Sequence, residues 1–81
     1  MRDFWEKKAK ELVRAEMARQ SISYKGLSER LEKIGVHESE KQLMNKVARG
    51  KFAFSFFLQC MSVMEVPHVY DLPRMQDIDA D

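Results

Sequence analysis

The sequence predicts an all-α fold: a compact bundle of four to five helices containing a helix-turn-helix. Three observations predict it. Residues 3–20 hold neither proline nor glycine and repeat apolar residues at helical spacing. Two further segments begin at serines suited to N-capping, Ser23 and Ser39, and end at glycines, Gly35 and Gly50. No run alternates polar and apolar residues with β-branched enrichment, so no strand is expected.

In the first helix Asp3 is the expected N-cap, with Glu6 completing a capping box. Trp5, Ala9, Leu12 and Val13 share one face, with Met17 on its flank. Glu16 falls within that stripe, where a carboxylate needs a partner; Arg49, Arg19 and Arg14 are the candidates. Ser23 caps a second helix running to about Ile34, with Leu27, Leu31 and Ile34 inward. Gly26 and Ser28 are small enough there for another helix to cross closely. Gly35 ends that helix, and Val36 packs back on its last turn. Ser39 and Gln42 form a capping box for the third helix, Leu43 and Val47 are its buried pair with Met44 on the flank, and Gly50 closes it. Ser55 is expected to cap a fourth helix reaching about Met64, with Phe57, Leu58, Met61 and Met64 on its core face and Phe54 and Phe56 partly exposed. Val66, Val69, Tyr70 and Leu72 should dock as a final turn around Pro67 and Pro73, making residues 1–73 a single domain. Residues 74–81 are an acidic tail with little to bury, expected to be disordered.

At 81 residues, 44% hydrophobic and 33% charged, the chain has room for one core and is too apolar to be disordered throughout. The opening Met-Arg-Asp-Phe-Trp is followed by no apolar signal region, and the most apolar stretch, residues 52–58, is too short to cross a bilayer; a cytoplasmic protein is expected. Cys60 is the one cysteine, which excludes an internal disulfide or a thiolate metal site. His37 and His68 lack metal-ligand spacing, and Gly26, Gly35 and Gly50 are isolated rather than grouped in a phosphate loop. A non-enzymatic protein without metal or cofactor is expected. The net charge of +1 hides an asymmetry: residues 1–51 carry +5 and residues 52–81 carry −4. A basic front and acidic rear would orient the domain towards a polyanion.

With Leu43 and Val47 facing the core, helical geometry puts Lys41, Gln42, Asn45, Ala48 and Arg49 on the other side of the third helix. Gln and Asn can pair bidentately with adenine, and Arg or Lys with guanine. Lys46, Lys51, Lys25 and Ser23 are placed to meet flanking phosphates. Glu38 and Glu40, near the start of the helix, would repel them. The expected partner is therefore double-stranded DNA. The alternative is a protein partner docked on a Phe- and Met-rich surface of the fourth helix, centred on Phe54 and Phe56.

Ile22-Ser23-x-x-Gly26-Leu27-Ser28 and Val47-Ala48-Arg49-Gly50-Lys51 resemble the Cro/cI-type, lambda-repressor-like helix-turn-helix domains. The resemblance implies a transcription-regulator-like protein, and paired half-sites read by a homodimer. Two departures stand out. Gly35-Val36-His37-Glu38-Ser39 exceeds the usual tight turn, and Ala48 replaces an acidic residue often held there. Glu16 and Arg49 are candidates to supply that ion pair with reversed polarity. A more specific likeness covers residues 4–66. Trp5, Ala9-Lys10-x-Leu12, Ala15-Glu16-Met17, Tyr24-x-x-Leu27, Ile34-Gly35-Val36, Asn45-Lys46-Val47-x-Arg49-Gly50-Lys51-Phe52 and Phe56-Phe57-Leu58-Gln59-Cys60 resemble a bacterial family known as domain of unknown function 6471. That likeness implies the same helical fold and no established activity.

Overall fold

The computed structural model describes residues 2–66 and 72–77. Four helices, α1 (Arg2–Gln20), α2 (Tyr24–Glu32), α3 (Glu40–Arg49) and α4 (Phe54–Val63), are followed by a 3-10 turn at Met75–Asp77. The described residues form no strand. The helices close a ring: α3 packs on α1 and α2, α4 packs on the same two, and neither the α1–α2 nor the α3–α4 pair is in direct backbone contact. Val13 and Met17 of α1, Leu27 and Leu31 of α2, Leu43 and Val47 of α3, and Phe56, Phe57, Cys60 and Met61 of α4 meet with Met64 in one core.

The caps expected at Ser23 and Ser39 form. Ser23 Oγ accepts from Gly26 N at 3.0 Å. Ser39 and Gln42 exchange both capping-box bonds, at 2.8 and 3.1 Å. The helix ends share a device of which the sequence announces one instance. After α2, Val36 N donates to Leu31 O and Gly35 N to Glu32 O, with Gly35 at φ +82°. The same paired bonds recur after α1 (Ile22 N to Met17 O, Ser21 N to Ala18 O) and after α4 (Val66 N to Met61 O, Glu65 N to Ser62 O). This is the Schellman arrangement, and the residue beyond each left-handed position, Ile22, Val36 or Val66, packs against the core. Ser21 at φ +56° and Glu65 at φ +57° hold a conformation suited to glycine. Ser21→Gly and Glu65→Gly are each expected to add about 0.5–1 kcal/mol to stability. Urea denaturation checks this, and a loss in both would show that the left-handed turns carry no strain.

Polar side chains finish the last turn of α4. Arg30 Nη1 donates to Val63 O at 2.8 Å, and Gln20 Nε2 to Met64 O at 2.9 Å, so α1 and α2 both satisfy carbonyls that the helix end leaves open. Ser28 Oγ donates to Glu38 O at 2.6 Å, pinning residues 33–39 between α2 and α3.

Several expectations are corrected. Asp3 lies inside the first turn of α1, which starts at Arg2, so it is not the N-cap. Ser55 likewise sits within α4; Ala53 takes the cap position without a side-chain bond. The inward stripe is Phe56, Phe57, Cys60, Met61 and Met64 at helical spacing, so Phe56 is buried and Leu58, on the other side, is 48% exposed. Trp5 is 47% exposed, packed edge-on against Phe4 rather than in the core. Ile34 leaves the α2 stripe because it lies beyond the helix, in the turn, and is exposed. A Cβ at Gly26 would meet only Ser23 Oγ and Ile22 Cγ2 at ordinary distances, so no helix crosses there. Leu72 is exposed rather than docked, while Val69 and Tyr70 lie outside the described residues, as do residues 78–81 of the expected disordered tail. No helix among the described residues is long and apolar enough to cross a membrane.

Candidate nucleic-acid interface

The outer side of α3 borders an open groove where α3 and α4, joined in sequence, do not pack on each other. Gln42, Asn45 and Arg49 line it from α3, Lys51 from the connection, and Ser55 and Gln59 from the first half of α4. Its volume is ≈ 760 Å³. Behind it Leu43 and Val47 are fully buried, which fixes the rotation of α3 about its axis. Its height is fixed at the C-terminal end. Gly50, at φ +67°, is buried where a Cβ would lie 2.8 Å from the Glu6 carbonyl carbon and closer still to its oxygen.

The residues expected to meet DNA separate into groups. Asn45 and Arg49 are exposed, one turn apart, with no side-chain bond to a described residue. Lys41 is exposed on the same helix but does not line the groove. The Gln42 Oε1 accepts from Ser39 N, which leaves its amide group to donate but engages the oxygen that bidentate adenine pairing needs. Lys46 is half-buried; its ammonium lies 2.5 Å from Glu38 Oε2 and 4.7 Å from the centre of the Phe56 ring. That pairing ties up a cation expected to meet phosphate, but it also neutralises the Glu38 charge expected to repel it. Lys51 stands 3.8 Å from Glu6, a loose exposed pair. Ser23 is committed to its cap, and Lys25 is exposed on α2, away from the groove.

A family model for DUF6471, a domain of unknown function, matches residues 5–69. The chain belongs to this family. No curated protein and no solved structure matches it. In this DUF6471 domain the conjectured Glu16–Arg49 ion pair is absent. Glu16 bonds instead to Arg19 and to Gln20 Nε2, the latter at 2.5 Å, and these bonds, Arg19 first, hold its carboxyl below the usual carboxylate range. Arg49 is thereby left to the surface. Cys60 is fully buried, and burial pushes its thiol up to about 12, which makes it an inert core residue. The Phe- and Met-rich surface expected on α4 is mostly core: Phe56, Met61 and Met64 are buried, leaving Phe54 (71% exposed) and Leu58 one turn apart. Two contributors to the surface around α3 escaped sequence reasoning, Gln59 from α4 and the pair Lys7 and Lys10 from α1. Only the ring of helices brings them near α3.

Proposed function

We propose that the chain is a helix-turn-helix DNA-binding domain of the lambda-repressor-like type, with α2 lying across the backbone and α3 in the major groove. The observation that carries this reading is the α3 surface. Asn45 and Arg49, free of internal bonds, open with Gln42 and Lys51 on one groove, over a helix whose opposite side is locked in the core. Asn and Arg are base-reading side chains, and rigid elements hold such groups more accurately than loops. A transcription-regulating role, with two copies reading half-sites about 34 Å apart, follows the same pattern.

The test is binding to mixed-sequence duplex DNA at several salt concentrations. Each phosphate neutralised should contribute a slope of about −0.9 in log K against log salt, and the Lys41→Glu, Arg49→Glu double variant should flatten that slope by about 2 or abolish binding. Asn45→Ala should relax preference at one base pair, by about 1–3 kcal/mol, on a selected sequence. A wild-type protein that binds no DNA at low salt overturns the reading. The alternative, a protein-docking module, now rests on Phe54 and Leu58 and would bind its partner almost independently of salt.

A further inference from the structure

A second groove lies on the other flank of α3, against α1. Asp3, Glu6, Lys7 and Lys10 line it from α1, and Ala48 and Arg49 from α3. Arg49 thus borders both grooves, one on each side of the helix. The α1–α3 spacing here is set by backbone, because Gly50 lets the chain rest directly on the Glu6 carbonyl. Lys7 and Lys10 thus stand near Arg49 where Gly50 rests closely on the Glu6 backbone.

The charges in this groove are unequally engaged. Lys7, Lys10 and Arg49 form no salt bridge to a described residue, whereas Glu6 has Lys51 at 3.8 Å. Asp3 is the remaining carboxylate, in the first turn of α1, where the helix dipole already favours a negative charge. Three cations with no salt bridge to a described residue share one trough with two carboxylates, which leaves it a net positive charge, and Ala48 there adds little bulk. Along α1 the basic residues continue at helical spacing, Lys7, Lys10 and Arg14, the last donating to Tyr24 Oη at 3.3 Å. The row rises about 10 Å from Lys7 to Arg14.

We propose that Lys7 and Lys10, with Arg49, form a seat for the phosphodiester backbone of the same duplex that α3 reads. The proposal rests on the DNA reading above and assigns to α1 a positioning contact without base specificity. The ligand is a polyanion of regularly spaced phosphodiesters; a lone phosphate would engage one cation at a time and bind weakly.

The test is the salt titration of a labelled mixed-sequence duplex with wild type, Lys7→Ala/Lys10→Ala and Lys33→Ala. Lys33 lies away from both grooves, beside Ile34 and Val63, and controls for net charge. The double variant should show a log–log slope shallower by about 1.8, with the wild-type order of preference among sequences, while Lys33→Ala keeps the wild-type slope. Alanine favours helix, so circular dichroism and the melting temperature should be unchanged. Wild-type binding with an unaltered slope in the double variant overturns the α1 seat and leaves the α3 reading standing. An equal loss in Lys33→Ala also overturns the seat, since it would reduce the effect to net charge. Absence of wild-type binding overturns both.

Discussion

Gly50→Ala is expected to cost about 2–5 kcal/mol, a large share of the roughly 5–15 kcal/mol that holds a small domain folded. Two separate penalties add. The left-handed φ of +67° costs a non-glycine residue about 1–2 kcal/mol. The new methyl group would also collide with the Glu6 carbonyl, a backbone group that no rotamer change can move, and forcing apart packed elements costs about 1–3 kcal/mol. Gly35→Ala separates the two. Gly35 has a comparable φ of +82°, but nothing lies within 4 Å of its Cβ position, so only the first penalty applies. Urea denaturation of both variants gives the clash with Glu6 as their difference, and equal losses would show that Gly50 is required only for its left-handed φ.

Phe57→Ala should be comparably damaging, by about 3–5 kcal/mol. Its ring is 8% exposed, stacks on Phe52 at 6.4 Å with an interplanar angle of 1°, and meets Phe54 at 6.1 Å. Removing it leaves a cavity beneath α4 and takes away its ring contacts with Phe52 and Phe54, although Phe52 keeps Phe56 at 5.3 Å. Phe54→Ala, three residues earlier and largely in solvent, should change stability by under about 1 kcal/mol. Thermal or denaturant unfolding checks the pair. If Phe54 proved the more costly of the two, the orientation of α4 would be wrong.

That contrast also marks where the sequence was legible. Ser23, Ser39 with Gln42, Gly35 and Gly50 are local signals, each satisfied within a few residues of itself, and all four act as their chemistry implies. Leu27, Leu31, Leu43 and Val47 follow the helical period and are fully buried. The fourth helix was harder because its sequence is apolar nearly all round. Phe54, Phe56, Phe57, Leu58 and Met61 offer several possible stripes, and the one used depends on how α4 lies against α1 and α2. The left-handed Ser21 and Glu65 gave no signal, since neither residue type announces that conformation. In the candidate interface, the exposure of Asn45 and Arg49 could be read from the period of α3. The commitments of Gln42 to its cap and of Lys46 to Glu38 could not, nor could the approach of Lys7 and Lys10, because these depend on which helices become neighbours.

The ring in which the helices meet also bears on how the chain folds. Only α2 and α3 are neighbours both along the sequence and in space; the other three contacts join helices separated in the chain, with α1 touching α3 and α4 and α2 touching α4. Neither the α1–α2 half nor the α3–α4 half therefore contains a self-sufficient packed hairpin, and the shared core stays open until α4 docks on α1 and α2. Such an arrangement favours all-or-none unfolding, with backbone amides of all four helices exchanging through one global opening rather than in separate units. A fragment carrying α2 and α3 alone would lose both of their shared supports, α1 and α4, so the exposed face of α3 and the stability of the whole domain are inseparable.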